Sequence, residues 1–143
     1  MKKFLSLLVI AVMIAFVFTG CGEKDDGTTV FTGTGNGLTA TITFYPDGTW
    51  SEKASGTHTV IGVTYSDLTC NQGIYTGGNP RNDGILSLTI TRTADFSWDP
   101  QPGAVLTNEN SPLIDVPSLS QPAFDVIISG NTLLWEGVTF TRQ

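Results

Sequence analysis

The 143 residues carry 7 basic against 13 acidic side chains, a net charge of −6, with 40 % apolar residues, 16 glycines and 2 cysteines. A chain this acidic offers no footprint for nucleic acid, and so few cysteines exclude a disulfide framework. The length suits one domain that must stand on its own core.

The chain opens on Met1-Lys2-Lys3, a short positive segment, followed by an apolar run from Phe4 to Phe18 broken only by Ser6. Charge, apolar run and small residues before a cysteine are the order of a signal peptide, and the run falls short of the ~20 residues of a spanning helix. Phe18-Thr19-Gly20-Cys21 resembles the bacterial lipobox, with Phe18 departing from the usual leucine. The resemblance implies cleavage before Cys21, a diacylglyceryl group on its thiol and an acyl chain such as palmitate on the new amine. Residues 1–20 are then the signal peptide, and the mature chain keeps 123 of the 143 residues. Loss of Lys2 and Lys3 takes its charge to −8. Two or three acyl chains hold a protein firmly where one does not. Residues 21–27, the acylated cysteine with Glu23-Lys24-Asp25-Asp26-Gly27, form a flexible tether. The expected location is the bacterial cell envelope, and Gly22, in place of an aspartate retention signal, favours the outer membrane.

From residue 28 to 143 the pattern is β. Leu38 to Tyr45 alternates, with Leu38, Ala40, Ile42 and Phe44 on one face and threonines and Tyr45 on the other, the mark of a strand with one wet side. Pro46-Asp47-Gly48 is a turn: proline presets φ and glycine accepts positive φ. Thr49 to Ala54 returns with Trp50 on the apolar face, Ser55-Gly56 reads as a turn, and Thr57 to Tyr65 as a further strand. Gly73 to Thr76 is a short strand, residues 77–84 are turn chemistry, and Ile85 to Thr93 alternates with Leu86, Leu88 and Ile90 inward. Residues 96–121 hold Pro100, Pro102, Pro112 and Pro117. Central strands exclude proline, so this stretch reads as a long, mostly irregular loop whose apolar residues pack it down as a flap over one end. Phe124, Val126 and Ile128 face inward, Ser129-Gly130-Asn131 turns, Thr132 to Trp135 comes back, and Val138 to Arg142 closes the chain. Seven to nine short strands with tight turns predict an all-β antiparallel up-and-down meander that must close to hide its edges.

Phe44-Tyr45-Pro46-Asp47-Gly48-Thr49-Trp50, Gly73-Ile74-Tyr75, Gly84-Ile85-Leu86-Ser87-Leu88-Thr89, Ile128-Ser129-Gly130-Asn131-Thr132-Leu133 and Phe140-Thr141-Arg142 resemble the lipocalin-like domains of bacterial lipoproteins. The resemblance implies a calycin-type barrel of about eight strands, whole or half open, and no shared catalytic residues.

Chemistry is sparsely supplied. His58 is the sole histidine; it has no ligand-spaced cysteines or carboxylates for zinc and no nucleophile elbow for a triad, and is expected at the surface. Cys70, the other cysteine, suits a small buried hydrophobe. Asn79, Asn82 and Asp83 fit a turn better than calcium. Glu52, Glu109, Glu136 and the aspartates show no pairing for glycoside chemistry. The expectation is a binding protein and not an enzyme, with no cofactor and no metal. Phe44, Trp50, Tyr75, Trp98, Phe124, Trp135 and Phe140 are the candidate residues to line a ligand-holding interior. The leading expectation is a small apolar or amphipathic ligand gated by residues 96–121. The alternative is a filled barrel meeting an envelope or host protein as an inhibitor or adhesin does; a hydrolase with dispersed carboxylates ranks last.

Overall fold

A computed structural model describes residues 27–135 and 137–143. The signal segment, the lipobox with Cys21 and the tether to Asp26 lie outside the described residues, as does Glu136.

The described residues form ten strands: β1 (Thr29–Gly35), β2 (Leu38–Phe44), β3 (Thr49–Thr57), β4 (Thr64–Thr76), β5 (Gly84–Ala94), β6 (Val105–Leu106), β7 (Leu113–Asp115), β8 (Ala123–Ser129), β9 (Thr132–Trp135) and β10 (Val138–Arg142). Eight of them make an antiparallel meander in the order β1-β2-β3-β4-β5-β8-β9-β10, and β10 returns to β1 through Phe31↔Arg142 and Thr32↔Thr141. The sheet is thus a closed barrel, the architecture of lipocalin-like domains, and closure removes the free edges an open sheet would expose.

The alternation in the sequence becomes the wall. Leu38, Ala40, Ile42 and Phe44 are buried on β2, and Leu86, Leu88 and Ile90 on β5. Each large side chain so removed from water contributes about 1.5–3 kcal/mol. The chain enters at the end that carries the turns at 45–48, 77–83 and 129–131. At that end the Arg142 guanidinium lies 5.2 Å from the Phe31 ring centroid and donates to the Pro80 carbonyl at 3.1 Å. Asp83 accepts the Gly130 N–H at 2.7 Å, tying two turns together, while Asn79 accepts the Arg81 N–H.

The other end departs from the sequence reading in three places. Thr57 to Tyr65 is not a strand: β3 runs through Gly56 to Thr57, and residues 58–62 turn the chain into β4. Gly56, expected in a turn, sits at a register shift in β3 with φ +113, where an added Cβ would lie 2.3 Å from the Gly37 carbonyl. His58, expected at the surface, is 5 % exposed, and its Nδ1 accepts the N–H groups of Val60 and Ile61 at 3.2 and 3.4 Å; it is a turn-forming residue. Residues 96–121 do pack over this end, and with more order than their prolines suggest. β6 pairs in parallel with the start of β4, β7 pairs with the end of β5, and a 3-10 turn spans Ser118–Ser120.

One close approach fixes the wall beside the core. An added Cβ on Gly73 would meet the Thr89 carbonyl oxygen at 1.7 Å and Trp50 Nε1 at 2.8 Å. Gly73→Ala is expected to lower unfolding free energy by about 3 kcal/mol, the upper end of the usual cost of overpacking. Urea unfolding checks it; wild-type stability in this variant would contradict the packing.

Candidate functional site

Among the described residues aromatic, acidic and thiol groups converge in the interior, and the strand registers explain how. Phe44 is the cross-strand partner of Trp50, and Trp50 of Gly73. Because Gly73 has no side chain, the indole lies over it and Nε1 donates to the Thr89 carbonyl at 3.3 Å. Phe124 and Trp135 meet the Trp50 ring edge-on, with centroids at 6.0 and 6.5 Å. Phe124 and Trp135 stack on each other at 4.6 Å, and Trp135 on Phe140 at 6.4 Å. A second group joins Phe44 edge-on to Phe31 at 6.1 Å and to Tyr75 at 5.2 Å. Such ring pairs are each worth about 0.5–1.5 kcal/mol beyond the area they bury.

Six of the seven residues expected to line the interior, Phe44, Trp50, Tyr75, Phe124, Trp135 and Phe140, therefore do come together there. Trp98 does not. It lies in the long excursion, 44 % exposed, and its Nε1 donates to the buried Ser111 hydroxyl at 3.3 Å. Phe44, Trp50 and Phe140 keep 0, 1 and 0 % of their surface accessible. A ring beside a void wide enough for water would keep more; these rings face one another.

One step along β3 from Trp50 the same inward face carries Glu52, with no exposed surface. Its Oε2 accepts from Asn71 Nδ2 at 2.6 Å, and its Oε1 has no partner. Burial pushes its carboxyl up to about 7, against the lowering effect of the Asn71 hydrogen bond. Cys70 adjoins the pair, buried, with Sγ donating to the Leu68 carbonyl at 3.6 Å. Burial first, and then the nearness of Glu52, hold its thiol well above the usual thiol range. Burial, followed by Cys70, pushes the Tyr65 hydroxyl up to about 12. A thiol held neutral is a poor nucleophile.

Asn71 was missed in the sequence because parity fails there. β4 has a register shift against β3 between Glu52 and Lys53, opposite Asn71 and Thr69, and another against β5 after Gln72. The extra residue turns both Cys70 and Asn71 to the buried side. Glu52 itself was legible: Trp50, Glu52 and Ala54 share a face by alternation. Glu109 lies exposed in the long excursion. Among the described residues no group of three or more His, Cys, Asp or Glu side chains is placed to hold a metal ion.

No family model, curated protein or solved structure matches the chain.

Glu52 makes stability depend on pH with a definite sign. An acid whose value rises from 4.5 unfolded to about 7 folded holds its proton more tightly when folded. That stability is fully present below pH ~4.5 and is lost as pH rises through ~7, an effect on the order of 3 kcal/mol. Urea unfolding at pH 5 and 8.5 should show this loss in the wild type and little of it in Glu52→Gln. Equal slopes for the two proteins would contradict the assignment.

Proposed function

We propose that this protein is a lipid-anchored, non-catalytic binding protein of the bacterial cell envelope, held at the outer membrane through Cys21 and acting by contact of its outer face with another protein. The observation that carries this reading is that the interior rings are spent on one another, Phe124 stacked on Trp135 at 4.6 Å and both set edge-on to Trp50. A barrel whose aromatics fill it has its outer surface left for recognition.

That surface carries a suitable feature. Ile85, Ile127 and Leu134 are cross-strand partners on β5, β8 and β9, and are 57, 47 and 42 % exposed. They make an apolar row across three strands. The single charge on those three strand segments from Gly84 to Thr89, Ala123 to Ser129 and Thr132 to Trp135 is Asp125. The chemistry fits a partner with an apolar strip edged by basic groups, and leaves nucleic acid aside. Gly27, the first described residue, lies beside Pro46 at the end opposite the long excursion, so a short tether to an acylated Cys21 would present the end capped by residues 95–122 away from the membrane.

The second reading, a small apolar or amphipathic ligand within the barrel, is favoured by one observation: Glu52 Oε1 is buried beside the rings without a partner. A ligand that donates a hydrogen bond would satisfy it.

Two experiments test the proposal. Cys21→Ser should move a folded protein from the membrane to the soluble fraction, since the mature charge of −8 gives no other hold on an anionic surface; membrane-bound Cys21→Ser protein would contradict the anchor. A photo-crosslinking residue at position 127 should capture a partner in cells, and Ile85→Asp should weaken that capture by about 10-fold or more, the loss expected of a buried contact residue. The same crosslinker at exposed Thr39 on β2 should capture nothing. Equal capture from both walls would sink the docking face.

A further inference from the structure

The barrel wall has a seam close to its buried carboxylate. β4 bonds β6 through Thr64 and Tyr65, and takes up β5 only from Asn71 onward. Between those partners side chains close the edge of β4: the Thr93 hydroxyl donates to the Cys70 carbonyl at 3.4 Å, and Asn108 holds Thr69. Asn108 accepts the Thr69 N–H at 2.9 Å and donates to the Thr69 carbonyl at 3.1 Å, as a strand residue would. Asn108 is itself held by a small turn, in which Asn110 accepts the Thr107 N–H and donates to the Val105 carbonyl at 2.8 Å.

Two residues along β4 from that closure, Asn71 donates to Glu52. The other Glu52 oxygen has no protein partner and no exposed surface. A carboxylate there has Asn71 as its protein donor on one oxygen and none on the other, too little for a buried ion. The seam is the stretch of wall beside Asn71 where side chains, Asn108 and Thr93, and not a strand ladder hold the edge of β4.

We propose that the seam between β6 and β5 is a proton-controlled gate: ionisation of Glu52 is met by release of Asn108 from Thr69, which frees residues 105–111 from the edge of β4 and admits water beside Cys70 and Asn71. The gate operates whatever the outer face binds.

The surrounding groups leave the switch to Glu52. Its cross-strand partners are Ile42 on β2 and Asn71 on β4, neither of which titrates. Cys70 and Tyr65, the titratable neighbours, are both held neutral to high pH by burial, with the nearness of Glu52 adding to Cys70 and that of Cys70 to Tyr65. Lys53, next along β3, turns outward to Asp67 at 3.1 Å, and Arg92 on β5 turns to Asp115 at 3.3 Å. The closed state holds the Glu52 proton to about pH 7, against 4.5 when hydrated. Opening is therefore favoured on the order of 100-fold more at pH 8.5 than at pH 5.

Hydrogen exchange on the full chain tests the gate, with intrinsic chemical rates divided out. From pH 5 to 8.5, protection at residues 64–71 and 104–111 should fall by a factor on the order of 100, while that of β1, β2 and β9 falls far less. In Glu52→Gln the seam should stay closed at both pH values. Should that variant not fold, Asn108→Ala carries the test alone, and seam exchange must rise even at pH 5. A uniform loss of protection around the barrel, an unchanged seam in the wild type, the same pH response in Glu52→Gln, or wild-type seam protection in Asn108→Ala would each overturn the proposal.

Discussion

The indole of Trp50 is the contact on which the rest of the barrel depends. It starts from β3, crosses over the bare backbone of Gly73 on β4 and hydrogen-bonds the Thr89 carbonyl of β5. Its ring edges meet Phe124 of β8 and Trp135 of β9. One side chain thus links five strands that are distant in sequence. The direct join of β1 to β10 is short, Phe31 and Thr32 against Arg142 and Thr141. Side chains that reach across the interior therefore carry much of the closure that the backbone ladder does not. Removal of such a residue costs about 3–5 kcal/mol in ordinary cores.

Against this apolar frame the Glu52–Asn71 pair is costly. A barrel optimised for stability alone would place a leucine at position 52, since replacing a buried polar pair by apolar groups is often neutral or stabilising. The pair sits where β4 is out of register with both of its neighbours. Bulges of this kind re-aim side chains and are common beside functional positions. Here the bulge turns Cys70 and Asn71 to the buried side together, and Asn108 bonds the outer edge of β4 at Thr69, within the same stretch.

The parts of this arrangement that follow from local chemistry were legible in the sequence. Leu38 to Phe44 and Ile85 to Thr93 alternate cleanly, and the Pro46-Asp47-Gly48 turn holds as written, with Asp47 Oδ1 accepting the Thr49 N–H at 2.9 Å. The seven-residue aromatic set was legible as an inward face, apart from Trp98, which has no strand parity to be read. Where an extra residue enters, parity stops speaking: Asn71 on β4 and the passage of β3 through Gly56 were both lost in this way. The two short strands of the long excursion were hidden for another reason. Their pairing is non-local, Val105 beside Thr64 and Leu113 beside Ala94, and prolines dominate the intervening stretch. His58 looked exposed among threonines, because its turn role depends on backbone N–H groups that no side-chain pattern displays.

The proposal that recognition takes place on the outside rests on a barrel filled by its own rings. Native mass spectrometry of the protein taken from its own cells, followed by titration with an apolar dye at pH 6, tests it most directly. The account predicts the mass of the processed, acylated chain with nothing further bound and no dye uptake within the barrel of the wild type, with about one dye more bound by Trp50→Ala, whose missing indole leaves an apolar cavity. A retained small molecule, or stoichiometric dye binding by the wild type, would contradict it.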